Sequence, residues 1–176
     1  MLTRLGASAS EVRLPSGLDG LDGLVIPGGE STTMGLLMEK GGLVAPLREF
    51  VKEHPVFGTC AGLIMLATDT IDGEQPLLGV LDATVRRNAF GRQTRSFEAP
   101  VDLCLTPGAS ETFHGIFIRA PWVEKTGPGV EVIARYGGHV VGVRQDRVMG
   151  VAFHPELGGD TRLHAYFLDL VRTSKV

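Results

Sequence analysis

The chain has 176 residues, 43% of them apolar and 21% charged, which suits one folded domain with a substantial core and excludes disordered and fibrous classes. With 17 Lys and Arg against 20 Asp and Glu residues, the formal net charge is -3, so no overall basic field exists to hold nucleic acid or an anionic membrane. Apolar runs stay far below the roughly 20 residues of a membrane span, and we expect one cytoplasmic domain over residues 1–176.

The first half of the chain alternates predicted helices and strands, separated by glycine and proline. In chain order the predicted elements are the end of a helix at 2–5, a short strand at 11–14, a buried strand at 24–26, a helix from 31 to about 40, an amphipathic helix at 44–51, a strand at 56–58 and a buried helix at 61–67. Ser31 is in position to cap the helix that it begins.

The second half is mostly β, because short apolar runs are separated by Gly, Pro and polar turns. The predicted strands are 83–85, 101–105, 113–118, 130–136, 140–144 and 148–153, and a helix at 160–172 closes the chain. Strands alternating with helices, followed by added strands, predict a three-layer α/β domain. Its binding site is expected at the carboxyl ends of the parallel strands.

The sharpest local motif is G-x-C-x-G at residues 58–62, between a predicted strand and a predicted helix. The small flanking residues permit a sharp corner that lifts the Cys60 sulfur out of the core. There the helix N-terminus favours a thiolate, and the N–H of Ala61 is placed to donate to an oxyanion. A buried, inert cysteine is the competing interpretation of the motif taken alone.

A thiol nucleophile needs a base, and His154 in the triplet His154-Pro155-Glu156 is the candidate. In extended backbone, residues i and i+2 point to the same side, so Glu156 could orient the imidazole. The predicted strand that leads into His154 places it at a strand end, like Cys60. A surface His and Glu beside a turn proline is the alternative.

Two further features could serve the same crevice. The segment 28–31 follows a strand, and its backbone N–H groups could complete an oxyanion hole; a glycine turn followed by a helix cap fits the residues equally well. Arginines gather around Phe90, at Arg86, Arg87, Arg92 and Arg95. The acidic balance of the chain disfavours RNA binding there, and an arginine fork for a substrate carboxylate is the favoured interpretation.

Cysteine chemistry in this chain is expected to be catalytic. The two cysteines, Cys60 and Cys104, are too few for a disulfide framework. The five histidines do not group with them at metal-ligand spacing, so we expect no metal site.

Five segments together carry a family resemblance: GLVIPGGESTTM (23–34), FGTCAGLIMLA (57–67), RRNAFGRQTRSFE (86–98), FHGIFIRAP (113–121) and GVAFHPEL (150–157). In this order they resemble the PdxT/SNO family, the class I glutamine amidotransferases that act as glutaminase subunits of pyridoxal 5'-phosphate synthase. The resemblance implies a flavodoxin-like, three-layer fold with a mixed, mostly parallel central sheet and helices on both faces.

The resemblance also implies an activity. L-glutamine would be hydrolysed to L-glutamate and ammonia through a thioester on Cys60, with His154 and Glu156 as the relay. The ammonia would pass to a separate synthase subunit of the PdxS/SNZ type in a hetero-oligomeric complex, with pyridoxal phosphate as a product rather than a cofactor. The backbone of Gly29 and Ala61 would form the oxyanion hole. The positions that match the family's glutamine site are Gly29, Glu30, Ser31, Arg87, Ile118 and Arg119.

One departure from the family concerns the start of the sequence. Family members carry a strand of the type I-G-V-L-A-L-Q-G and most of a helix before the segment that corresponds to residues 2–14, and this sequence lacks both. We therefore expect an unprotected strand edge and impaired stability or activation. Full activity and a normal melting transition of a chain starting at Met1 would refute that expectation.

Two other functions remain open from the sequence. A stand-alone cysteine hydrolase of the DJ-1/PfpI type shares the elbow motif, although the His-Pro-Glu triplet and the glutamine-site motifs speak against it. A catalytically impaired or binding-only subunit is the second alternative, because the short start could leave the site incompletely assembled.

Overall fold

A ten-stranded mixed sheet forms the centre of the protein in a computed structural model that describes residues 1–91 and 96–174. The strands are β1 (Leu24–Ile26), β2 (Val56–Thr59), β3 (Ala67–Thr70), β4 (Leu81–Arg86), β5 (Ser96–Thr106), β6 (Ala109–Ile118), β7 (Trp122–Thr126), β8 (Glu131–Tyr136), β9 (His139–Gln145) and β10 (Val148–Val151). The α-helices are α1 (Ser31–Lys40), α2 (Val44–Glu53), α3 (Ala61–Leu66) and α4 (Arg162–Thr173), and two 3-10 helices span Leu2–Leu5 and Pro15–Leu18.

The strand order is β1-β2-β10-β9-β7-β4-β3, and β5, β6 and β8 branch from it through β9. Pairing is parallel between β1 and β2, between β2 and β10, and between β3 and β4. The other strand pairs among the described residues are antiparallel, so the parallel segments are those next to the elbow cysteine and at the far edge. Every residue of β2 and β10 is buried, as expected for strands covered on both faces.

Helices cover both faces of the sheet at β2. Neighbouring residues of a strand point to opposite faces, so Phe57 and Gly58 contact different helices. Phe57 packs on Phe167 and His164 of α4, with ring centroids 5.8 Å apart in both contacts. On the opposite face, a Cβ added at Gly58 would lie 2.5 Å from the backbone of Gly62 in α3. The predicted three-layer α/β fold is therefore confirmed.

Most predicted elements are confirmed with boundaries shifted by no more than five residues, but three predictions need correction. Residues 11–14 form no strand; Val12 packs on the core from an irregular segment. Strands β3 and β7 were not predicted, because their sequences, ATDT and WVEKT, carry too few apolar residues for an alternating pattern. The third correction concerns the N-cap of α1, which is Glu30 and not Ser31.

Strand β1 lies at one edge of the sheet and pairs with β2 alone among the described residues. No helix in the described part of the chain is long and apolar enough to cross a membrane.

Candidate active site

The elbow between β2 and α3 places Cys60 at a strained corner. Its backbone has φ 50° and ψ -105°, in a region that side chains rarely adopt. The corner needs glycine on both sides, since a Cβ at Gly58 would strike Gly62 and one at Gly62 would lie 1.9 Å from the Ile26 carbonyl oxygen of β1. The predicted strand-to-helix corner is confirmed, and it brings the end of β1 against the start of α3.

The Cys60 side chain is largely buried and has two polar neighbours. Its thiol donates to the carbonyl oxygen of Ile118, with Sγ and O 3.7 Å apart. Its second neighbour is the His154 imidazole, which lines the same cavity and whose pKa responds to the sulfur. Ala61 is the first residue of α3, so its N–H has no acceptor within the helix and lines the same cavity.

His154 follows β10 and is held on three sides. Its backbone N–H donates to the carbonyl oxygen of Ile116 at 2.8 Å, and Nδ1 of its imidazole lies 2.8 Å from Oε1 of Glu156. Its ring covers Gly28, where an added Cβ would lie 2.4 Å from Cε1 of the imidazole. The spacing His-Pro-Glu therefore does bring the carboxylate onto the imidazole, as the sequence predicts.

Contacts within this group shift the pKa values of His154 and Glu156 in opposite directions. Hydrogen bonds to Cys60 first and to Glu156 second raise the pKa of His154 to about 9, against the opposing effect of burial. Burial, the largest single influence, pushes the pKa of Glu156 upward, but the hydrogen bond with His154, a backbone hydrogen bond and the nearby imidazoles together hold it below the ordinary value. At neutral pH the imidazole is thus protonated, and it lies between the Glu156 carboxylate and the Cys60 sulfur.

The raised pKa of His154 predicts a pH-dependent contribution to stability. The native imidazole holds its proton more tightly than the unfolded one, so the contribution is complete below about pH 6.5 and disappears as the pH rises through about 9. Urea unfolding at a series of pH values measures it as the difference in free energy of unfolding between the wild type and His154→Gln. Cys60→Ala should move the decline to lower pH, because Cys60 is the largest cause of the shift. A difference independent of pH over this range would contradict the prediction.

A cavity of about 400 Å³ opens above Cys60. Its lining comes from the segments that follow β1, β2, β4, β6 and β10 and from the first turns of α1 and α3. The lining residues are Gly28, Gly29, Glu30, Ser31, Cys60, Ala61, Ile64, Arg87, Asn88, Ile118, Arg119 and His154. All the predicted site residues are among these except Glu156, which contacts the site through His154. The cavity lies where carboxyl ends of parallel strands meet, as predicted.

Ile64 and Asn88 line the cavity but were not predicted as site residues. Ile64 could have been found from its spacing, since it lies four residues after Cys60 on the helix that the cysteine begins. Asn88 follows Arg87 and has φ 45°, a left-handed conformation that Asn tolerates better than most residues. Its only sequence signal is its place beside an arginine.

The cap of α1 corrects the sequence interpretation. The N-cap is Glu30, whose carboxylate accepts hydrogen bonds from the N–H groups of Thr32 and Thr33 and from the Thr33 hydroxyl. The Thr33 hydroxyl, with those N–H groups, lowers the pKa of Glu30 to about 2. Ser31 is instead the first helical residue, and its hydroxyl points to Gln75 at 3.0 Å.

Charged groups flank the mouth of the cavity. Arg87 Nη2 lies 3.4 Å from Oε1 of Glu30, which joins opposite sides of the cavity. Arg119 directly follows β6, with φ 45°, and makes no side-chain hydrogen bond to a described residue, so its guanidinium is open to a ligand. Arg92 and Arg95 of the predicted arginine cluster lie outside the described residues. Among residues 1–91 and 96–174 no three or more His, Cys, Asp and Glu side chains could together hold a metal ion.

Solved structures place the fold among the glutamine amidotransferases. A crystal structure of a glutamine amidotransferase matches with TM-score 0.90 and 50% sequence identity, covering 97% of this chain and 90% of that one. A glutamine amidotransferase from Thermotoga maritima matches with TM-score 0.55 and 18% identity over 99% of this chain and 72% of that one, which shows likeness of fold alone.

The chain belongs to the SNO glutamine amidotransferase family, whose sequence model matches residues 1–173. It is 53% identical to the pyridoxal 5'-phosphate synthase subunit PdxT of Frankia alni, over 98% of this chain and 87% of the relative. It is 49% identical to the subunit of the same name from Geobacillus kaustophilus, over 97% of this chain and 86% of the relative. Family membership argues against the alternative of a DJ-1/PfpI-type hydrolase.

Proposed function

We propose that this chain is a cytoplasmic, single-domain glutaminase that hydrolyses L-glutamine to L-glutamate and ammonia and supplies the ammonia to a pyridoxal 5'-phosphate synthase subunit. The observation that supports it most directly is the continuous contact from Cys60 through His154 to Glu156 at the floor of a cavity with charged groups at its mouth. A reducing compartment keeps such a thiol free.

The first half of the reaction forms a thioester. His154, with Glu156 on Nδ1, accepts or already holds the Cys60 proton, and the thiolate attacks the side-chain amide carbon of glutamine. The oxyanion that develops is stabilised by the N–H groups of Ala61 and Gly29. His154 then protonates the amide nitrogen, the C–N bond breaks, and ammonia leaves the γ-glutamyl thioester on Cys60.

The second half releases glutamate. His154, now neutral, removes a proton from water, whose oxygen attacks the thioester carbon. The C–S bond breaks, the Cys60 sulfur leaves as thiolate, and the imidazolium is restored beside it. The net change is one water consumed and one ammonia and one glutamate formed, with neither metal nor redox partner.

Recognition of the amino acid end falls to the mouth of the cavity. The α-carboxylate of glutamine matches the guanidinium of Arg87 or Arg119. The carboxylate of Glu30, ionised through its low pKa, matches the α-ammonium group. The backbone of Gly29, Ser31 and Ile118 completes the wall of the site.

A partner follows from the relatives. The curated sequences that this chain matches at about 50% identity carry the name of a subunit of pyridoxal 5'-phosphate synthase. We propose a synthase of the PdxS/SNZ type, joined with this chain in a hetero-oligomeric complex, as the acceptor of the ammonia.

Glutamate release from L-glutamine, measured with and without a pyridoxal 5'-phosphate synthase subunit, tests the proposal, with Cys60→Ala as the blank. We expect activity that the synthase stimulates and that Cys60→Ala abolishes, since Cys104, the other cysteine, does not line the cavity. Absence of activity in both conditions, from protein with a cooperative melting transition, would favour a binding-only subunit.

A further inference from the structure

Residues 71–80, which connect β3 to β4, cross over the N-terminal half of α1; we call this segment the strap. Its second half is fixed to the core without touching the cavity. The N–H groups of Leu78 and Val80 donate to the carbonyl oxygens of Met65 and Leu66, at 2.7 and 2.9 Å. Arg48 of α2 donates to the carbonyl oxygens of Leu77 and Leu78.

The first half of the strap contacts one wall of the cavity through Gln75. Its Oε1 accepts hydrogen bonds from the hydroxyls of Ser31, at 3.0 Å, and Thr32, at 3.3 Å. Next to it, Pro76 packs so closely on α1 that a Cβ added at Gly35 would lie 2.6 Å from the Pro76 carbonyl oxygen. The first turn of α1, which carries Ser31 of the glutamine site, is therefore held by the strap.

The strap also contacts the opposite wall. Oδ2 of Asp72 accepts a hydrogen bond from the N–H of Arg87 at 2.6 Å. Neither Asp72 nor Gln75 lines the cavity, whereas Ser31 and Arg87 do. One short segment thus ties together two walls that come from elements far apart in the chain.

We infer that Gln75 and Asp72 are positioning residues for glutamine, Gln75 acting through the hydroxyls of Ser31 and Thr32 and Asp72 through the backbone of Arg87. This inference rests on the proposed glutaminase function. The strap sets the distance between the Ser31 wall and the Arg87 wall and hence the fit of the amino acid end of the substrate. Affinity for glutamine depends on it, while the chemistry at Cys60 does not.

Gln75→Met tests the inference, because methionine has similar length and no acceptor for the two hydroxyls. We expect KM for glutamine to rise about three- to tenfold, the equivalent of one ordinary hydrogen bond, with kcat within about twofold. The melting temperature should change little, because methionine removes the buried Gln75 Nε2, which has no partner among the described residues, but leaves the buried Ser31 hydroxyl without its acceptor.

Gln75→Glu separates positioning from structure. Its carboxylate keeps the acceptor for Ser31 and Thr32, so KM should stay near the wild-type value. Its second oxygen occupies the buried, unpartnered position of Nε2, so the melting temperature should fall. A purely structural residue would show the opposite pairing of effects, with KM following the loss of stability.

A mutant cycle and matched controls complete the test. In a Ser31→Ala, Thr32→Val background, Gln75→Met should raise KM no further, because the hydroxyls through which it acts are gone. Glu74→Gln, at an exposed strap residue, should change neither KM nor melting. Asp72→Ala should raise KM independently and Asp72→Asn, which keeps an acceptor oxygen, should restore it.

The outcomes distinguish this inference from the proposed function. An active wild type with unchanged KM in both Gln75→Met and Asp72→Ala overturns the positioning assignment alone, as does a Gln75→Met effect that persists in the Ser31→Ala, Thr32→Val background. A folded wild type that neither binds nor hydrolyses glutamine overturns the proposed function and this inference with it.

Discussion

The substitution His154→Gln is expected to lower kcat for hydrolysis of the substrate L-glutamine by about 10³- to 10⁴-fold, near the limit set by Cys60→Ala. The introduced Gln side chain fills a space similar to that of the imidazole, but it can neither accept the thiol proton nor hold a positive charge beside the sulfur. The variant therefore loses two proton transfers of His154: the one to the amide nitrogen of the substrate and the one from the attacking water. Steady-state kcat for glutamate release is the measurement.

A second readout isolates the thiolate. Alkylation of Cys60 by iodoacetamide at neutral pH, measured in a Cys104→Ser background, should slow when His154 no longer stabilises the charged sulfur. His114→Gln is the matched control, because His114 is exposed, pairs with Glu98 and does not line the cavity. Unchanged turnover and unchanged alkylation in His154→Gln would remove His154 from the mechanism.

Gly62→Ala is expected to destabilise the protein by about 3 kcal/mol or more, at or beyond the usual cost of overpacking a core. The added Cβ would lie 1.9 Å from the carbonyl oxygen of Ile26 and 2.9 Å from its carbonyl carbon, both backbone atoms that cannot rotate away. Either α3 or the end of β1 must move. Since β1 leads into the Gly28 to Ser31 wall, activity should fall with stability.

The loss of stability expected for Gly62→Ala is opposite in sign to the usual effect of a Gly→Ala change in a helix. In an unobstructed helix, alanine in place of glycine stabilises by up to about 1 kcal/mol. Gly159→Ala is the control, because a Cβ there meets no atom within 4 Å. Urea unfolding of the two variants measures the difference. Equal stability of Gly62→Ala and Gly159→Ala would mean that the elbow tolerates a wider separation of β1 and α3.

The sequence by itself determined the parts of the site that are local. Gly58, Cys60 and Gly62 predict the elbow because strand, corner and helix are consecutive and only glycine fits the two close approaches. His154 and Glu156 meet because the i, i+2 spacing of extended backbone puts both side chains on one side. The α/β class also followed from periodicity alone, since apolar spacing distinguishes buried strands from amphipathic helices.

The tertiary structure decided what depends on residues far apart in the chain. Ser31 has a good capping side chain, yet its hydroxyl bonds Gln75, 44 residues away, and the cap falls to Glu30, which also pairs with Arg87. The polar strands β3 and β7 exist because neighbouring strands supply their hydrogen bonds. Local patterns report burial and backbone preference, whereas these contacts depend on which elements the folded sheet brings together, and no short-range pattern records that.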